Sequence, residues 1–262
     1  MNAIEHELGS IGLAPARIKE IAAELPQAVL KLPNALLVLE RKAADAFQLH
    51  WAADSPEALA AAVATLMQQI PSEATRMWKI TLINQAAYVD VLLPLGFKVH
   101  SHYLDHWLAD LPSLGFADAS IASIREAQET DVGQLAVISK ACAAELGWIV
   151  NSVEWYNAWQ ANADNAVLVA EISGSLAGLC CVRRYGEESD KIWIRELAVA
   201  PDHRRTGLGR SLLNTGLRWG RDRGAARAFL AVDARSTAAR CLYTSVGFLP
   251  SGEEELNLIM KR

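Results

Sequence analysis

The chain has 262 residues, 52% of them apolar and 21% charged, with a formal net charge of −5. This balance fits one large or two small folded domains and argues against long disorder. The acidity argues against a general nucleic-acid or anionic-membrane binder, which needs a basic surface. No apolar run approaches the ~20 residues that span a bilayer, and the opening MNAIEHELGSIG has neither the basic start nor the apolar core of an export signal. Cys142, Cys180, Cys181 and Cys241 lack metal-ligand and CxxC spacing. They read as buried apolar residues in a reducing cytoplasm, with no zinc.

In chain order, ALLVLERKA (35–43) and AFQLHWAA (46–53) are predicted as paired strands. SPEALAAAVATLMQQI (55–70) is a helix with Ser55 as its cap and Pro56 at its first position. MWKITLI (77–83) is a strand, QAAYVDVLLPL (85–95) a helix and, after Gly96-Phe97, KVHSHYLDHWL (98–108) a strand. His100, His102 and His106 alternate along that strand without carboxylates at a metal spacing, which points to solvated faces rather than a metal site. Pro112 and Gly115 then break the patterning. The expected domains are therefore 1–112 and 118–262.

The second half begins with a short strand in SIREAQ (123–128), followed by Asp131 as the expected cap of a helix over 132–146. SVEWYNAWQANAD (152–164) is a second helix, whose Trp155, Tyr156 and Trp159 recur at helical spacing and read as core. Together with Trp148 they could instead wall an acceptor site. Strands NAVLVAEIS (165–173) and SLAGLCCVRRY (175–185) form a hairpin through Gly174. KIWIRELAV (191–199) is apolar on both faces, hence a central strand. A helix with Leu208, Leu212, Leu213 and Leu217 on one stripe and an end near Gly224, strand AFLAV (228–232), helix STAARCLYTSVG (236–247) and a last strand in EELNLIMK (254–261) complete a mixed α/β sheet. LLPLGFKV and YTSVGFLP each put Gly-Phe between a helix and a last strand, which suggests an internal duplication of supersecondary order.

The stretch PDHRRTGLGRSLL (201–213) places glycines and arginines ahead of a helix. A helix N-terminus offers unpaired N–H groups and the positive end of its dipole. Gly207 and Gly209 remove side chains, so phosphate oxygens can approach, and Arg204 and Arg205 add charge. A phosphate loop of the Gly-Lys-Ser/Thr kind is excluded by Arg210-Ser211 after Gly209, and a dinucleotide fingerprint lacks its third glycine at Leu212. A plain strand-to-helix turn with solvated arginines remains open.

Arg204-Arg205-Thr206-Gly207-Leu208-Gly209 resembles the acetyl-CoA signature of the GCN5-related N-acetyltransferase superfamily, Arg/Gln-x-x-Gly-x-Gly/Ala. The preceding ELAVAPDH resembles its fourth strand, and STAARCLYTSVGF its Asn-x-x-Ala-x-x-Leu-Tyr-x-x-x-Gly-Phe segment, through Ala239, Leu242, Tyr243, Gly247 and Phe248. Ser236 stands where that pattern has asparagine, so one cofactor contact differs. The resemblance covers about 120–262. The first half resembles a degenerate copy: it has no glycine turn, and Leu92 stands four residues before Gly96 as Tyr243 stands before Gly247.

The resemblance implies a tandem acyl-CoA N-acyltransferase fold and transfer of acetyl from acetyl-CoA to a primary amine, with no metal. It further implies that the backbone of Leu197, Ala198 and Val199 meets the pantetheine and thioester, and that the Arg205–Arg210 amides hold the pyrophosphate. Tyr243 is then the acid for the leaving thiolate. Glu196, a carboxylate in an apolar strand, is the candidate base, against the alternative of an ion pair with Arg195 or another cation. Asp233 and a water relay are the other bases available. A monomer or homodimer without nucleic acid or membrane is expected. A non-catalytic acyl-CoA sensor is the competing reading.

Overall fold

The computed structural model describes residues 13–43, 45–70, 77–115, 122–146, 150–185 and 190–261. They form two units, Met1–His102 with Glu254–Arg262, and Tyr103–Glu253. Unit one contains α1 (Pro15–Glu24), β1 (Val29–Leu32), β2 (Ala35–Ala43), β3 (Ala46–Ala53), α2 (Pro56–Gln69), β4 (Met77–Ile83) and the single turn α3 (Val89–Leu92). Strand β5 (Lys98–Leu108) carries the chain into unit two. There follow β6 (Ser123–Glu126), α4 (Val132–Leu146), α5 (Val153–Gln160), β7 (Asn165–Ile172), β8 (Ser175–Arg184), β9 (Lys191–Val199), α6 (Leu208–Arg221), β10 (Arg227–Asp233) and α7 (Thr237–Val246). Strand β11 (Leu249–Lys261) then returns to unit one.

One pairing scheme is used twice. β1-β2-β3 and β7-β8-β9 are antiparallel, and α2 and α6 connect the parallel pairs β3/β4 and β9/β10. Each half then has a helical segment ended by a left-handed glycine, Gly96 (φ +97) or Gly247 (φ +107), and a buried Phe97 or Phe248. A left-handed residue at that position satisfies the last carbonyls of the helix and turns the chain out, and only glycine adopts it without strain.

The last strands are exchanged. Glu255–Lys261 of β11 pairs antiparallel with β4 in unit one, and Tyr103–Leu108 of β5 pairs antiparallel with β10 in unit two. The units therefore do not divide at the composition break near Pro112. Strand pairing places the join at Tyr103, and the Leu111 N–H donates to the Ala226 carbonyl at 2.8 Å, tying that segment to unit two. The expected start at 118 lies outside the described residues.

Other differences from the sequence reading have local causes. The segment 85–95 is not one helix but a 3-10 turn, the single turn α3 and a second 3-10 turn around Pro94, which has no N–H to continue the ladder. Asp131 is the third residue of a 3-10 turn capped by Gln128. Its carboxylate accepts the Gln128 N–H at 2.7 Å and both Arg125 amino groups at 2.6 and 3.1 Å. His106 is buried rather than solvated, because β5 is paired with β10 and His106 lies opposite Leu230. Cys241 is exposed, on the outward side of α7, while Cys142, Cys180 and Cys181 are buried.

In unit one, α1 and α2 pack with β1 to β4 around Leu37, Leu49, Leu59, Leu66 and Ile80. Glu40 is the charged residue buried beside this cluster, bonded to Arg17 (3.1 Å), His50 (3.0 Å) and Lys42. Burial pushes its carboxyl up, but the hydrogen bonds from Lys42, Arg17 and His50 outweigh burial and hold it at about 2 instead of 4.5. A depressed folded-state value means that the stabilisation is full above the unfolded value and is lost as pH falls from about 4.5 through about 2. Urea unfolding from pH 7 down to pH 3 should show this loss in the wild type and a flatter acid limb in Glu40→Gln.

Candidate functional site

The site grows from an irregularity in β9. Its register with β8 shifts between Cys181, opposite Glu196, and Val182, opposite Ile194, so Arg195 is an extra residue in the strand. A bulge changes which face the following side chains take. Ile192 and Ile194 pack on the α6 side of the sheet with Leu212, Leu213 and Leu217. Beyond the bulge, Ala198 joins the α4 and α5 side with Cys181 and Tyr156, and Glu196 reaches Tyr156 there as well. Leu197 and Val199 pack on the α6 side. β9 and β10 are paired only from Lys191–Arg227 to Trp193–Phe229 and then part. The backbone of Leu197, Ala198 and Val199 thus lines a splay between two parallel strands.

At the end of β9, Pro201–His203 forms a 3-10 turn and Arg205 (φ +65) and Gly207 (φ +88) take left-handed backbone. Such backbone is uncommon for a residue with a side chain and clusters at functional turns. Gly207 is the N-cap of α6 and gives it no side-chain cap, so the first helical N–H groups have no internal acceptor. Arg205, Thr206 and Gly207 are exposed, whereas Leu208 anchors the helix in the core. A Cβ at Gly209 would meet Leu242 and Val199 at an ordinary 3.5 and 3.6 Å. Protein packing therefore does not demand glycine there.

The side chains around this turn are largely engaged. Arg204 folds back, donating from Nε to the Val199 carbonyl at 3.1 Å and lying 3.6 Å from Cys142 Sγ. The Thr206 hydroxyl donates to the His203 carbonyl at 2.7 Å, and Arg210 reaches the Ser245 hydroxyl at 2.5 Å. Ser236 precedes α7 without capping it by its side chain. What the turn presents is backbone N–H and the exposed Arg205.

Tyr243 of α7 is buried on the α6 side with Cys180, Leu212 and Phe248. Its hydroxyl makes no hydrogen bond to any described residue. Burial and, after it, Cys180 push its phenol well above the usual value, so it stays protonated across neutral pH. Asp233, the other carboxylate near the splay, is held by Arg235 at 2.7 Å.

Glu196 has no ion-pair partner among the described residues. Its Oε2 accepts from Asn151 Nδ2 at 2.6 Å and from the Tyr156 hydroxyl at 3.0 Å, and Oε1 is buried without a partner among the described residues. Arg195 instead lies over the Trp155 and Trp193 rings. Tyr156 and Trp159 are core, with Trp155 stacked on Trp159 at 4.9 Å; Trp148 lies outside the described residues. Sequence reasoning missed the polar role of Asn151 and Tyr156. A tyrosine hydroxyl on an otherwise apolar helix face was the signal available.

The corresponding parts of unit one are closed. Ser55 caps α2, its Oγ accepting the Ala58 N–H at 3.1 Å, and Pro56 has no N–H to offer. β3 and β4 also part, beyond Leu49–Ile80, but Trp51 donates across to the Thr81 carbonyl at 3.0 Å and Tyr88 packs on the Trp51 ring at 4.9 Å. Leu92 is buried.

Residues 139–248 match the acetyltransferase (GNAT) family. This segment is a GNAT domain. The chain is 32% identical over 88 residues to N-acetyltransferase family 8 member 3 of Rattus norvegicus, covering 32% of this chain and 39% of that protein. It is 34% identical over 88 residues to the streptothricin acetyltransferase of Streptomyces lavendulae, covering 33% of this chain and 46% of that protein. The chain thus spans less than half the length of either relative. A tandem GNAT protein from the clavulanic acid biosynthesis pathway has the same fold, with a TM-score of 0.58 at 12% identity over 89% of this chain and 81% of that one. Among the described residues no helix is long and apolar enough to cross a membrane.

Proposed function

We propose that the protein is an acetyl-CoA-dependent N-acetyltransferase that acetylates a primary amine of a small molecule or peptide by direct attack in a ternary complex. The observation that carries this reading is the uncapped, left-handed turn Arg205–Gly207 at the mouth of the β9/β10 splay. Its N–H groups and the exposed Arg205 suit a pyrophosphate, with charge-assisted bonds worth roughly 1.5–3 kcal/mol each. The splayed backbone of Leu197 to Val199 suits the amide-bearing pantetheine arm and the thioester. In unit one the corresponding turn is capped by Ser55 and the parted strands are bridged by Trp51, and this half serves as a degenerate copy without cofactor. We place the protein in the cytoplasm, where free thiols such as Cys180 and Cys181 persist.

In the reaction, the amine nitrogen forms a bond to the thioester carbon and the carbon–sulfur bond breaks. Tyr243 gives its proton to the departing sulfur, a role that suits a hydroxyl with no acceptor among the described residues. Glu196 takes the first proton from the ammonium, and the second proton that the nitrogen sheds as the amide forms returns to the Tyr243 oxygen. An alkylamine of pKa about 10.4 is overwhelmingly protonated at neutral pH, so removing that proton costs roughly 4–5 kcal/mol.

Calorimetry should give one acetyl-CoA per chain, and an amine-library screen for coenzyme A release should find acceptors. Two coenzymes per chain, or binding without release for any amine, would count against the assignment. Glu196→Gln should lower activity most near pH 7 and recover partly as pH rises, because higher pH supplies neutral amine without a base. A deficit that is flat with pH would give Glu196 a substrate contact instead.

A further inference from the structure

The two oxygens of Glu196 have different surroundings. The residue is 8% exposed. Oε2 receives the Asn151 amide at 2.6 Å and the Tyr156 hydroxyl at 3.0 Å, with Cys181 Sγ at 3.9 Å. Oε1 is buried and receives no hydrogen bond from any described residue. A buried polar atom left in this way is costly and calls for a partner the folded chain does not supply. Both donors come from around α5, on the sheet face to which the bulge at Arg195 turns Glu196. Neither is loose: Tyr156 is fully buried with Trp159, Val167 and Leu179, and Asn151 is buried too.

Resting on the acetyltransferase reading above, we propose that Tyr156 and Asn151 are positioning residues, which occupy Oε2, fix the rotation of the carboxylate and leave Oε1 as the oxygen that takes the amine's proton. In that step an N–H bond of the ammonium breaks with its electron pair left on nitrogen, and an O–H bond forms at Oε1. After the product leaves, the proton passes to water. The other ionisable groups around this carboxylate are the Cys180 and Cys181 thiols of β8 and Arg195 on β9 itself. Burial first, then the Glu196 charge, push both thiols up, Cys180 to about 12 and Cys181 well above its ordinary value, so they remain neutral. The Tyr156 phenol is raised by the same two causes and stays a donor. α4 contributes the uncharged, buried Ser139.

The test is kinetic, with acetyl-CoA and an amine found by the screen, on Tyr156→Phe and Asn151→Ala of the full chain. Each should lower kcat at pH 7 by about tenfold or more, hold the KM for acetyl-CoA within about twofold, and lose part of its deficit as pH rises. Adding either change to Glu196→Gln should cost nothing further, since the carboxylate they orient is already gone. Equal losses with and without Glu196, or a pH profile that keeps the wild-type shape, would overturn the positioning role. If Tyr156→Phe fails to fold in thermal unfolding, the same comparison stands on Asn151→Ala. A wild-type protein that binds acetyl-CoA and acetylates no amine overturns the acetyltransferase reading and this inference together. An active wild type with additive variants overturns this inference alone.

Discussion

Tyr243→Phe should leave acetyl-CoA affinity within about twofold of the wild type while turnover falls about 10²–10⁴-fold, the range typical of a general acid. The substitution deletes one oxygen from a ring packed with Phe248, Leu212 and Cys180, and so changes almost no apolar burial. The hydroxyl has no bond to a described residue to lose. Burial keeps the phenol protonated at every working pH, so the deficit should be constant with pH, unlike that of Glu196→Gln. The two variants thus separate acid from base by the shape of their pH profiles. Full turnover in the Phe variant would take Tyr243 out of the reaction.

Gly207→Asp should abolish acetyl-CoA binding in calorimetry, a loss of at least 10²–10⁴-fold if two charge-assisted hydrogen bonds worth roughly 3–6 kcal/mol together disappear. At φ +88 an aspartate is strained but belongs to the side chains that tolerate left-handed backbone best, and a Cβ there meets nothing within 4 Å. The fold should therefore survive, with the thermal midpoint changed by a few degrees. The new carboxylate would accept the first N–H groups of α6 itself and repel phosphate. Unchanged affinity would move the coenzyme away from this turn. Gly209→Ala makes the matching control for steric approach, since the protein tolerates that Cβ.

The glycine turn was legible because glycines ahead of a helix start resemble a known motif, the helix that carries Tyr243 was legible by the same resemblance, and the apolar stripe of α6 was legible from its periodicity. The bulge was not. Its extra residue, Arg195, has no composition that marks it, and only the register against β8 reveals it. Glu196 stood out as a charge in an apolar strand, yet its donors Asn151 and Tyr156 lie 45 and 40 residues away and meet it only through the packing of α5. Trp51 looked like one more alternating strand residue until its indole was seen across the parted strands of unit one. The helix α1 and the four-residue β1 went unread, the latter squeezed between Pro26 and Pro33. Strand exchange is invisible to periodicity, because β5 and β11 have the same pattern whichever neighbour they join.

That exchange sets an order of events at the ribosome. Strand β4 is complete at Ile83, but its antiparallel partner is the stretch Glu255–Lys261 near the other end of the chain. At about 5–20 residues per second, the edge of β4 waits on the order of ten seconds before that partner is synthesised. An unpaired edge is a template for pairing with another chain. The nascent N-terminal half is thus the part of this protein most in need of a chaperone. A premature stop before Glu254 would damage that early-made half first, although every one of its first hundred residues had already been translated correctly.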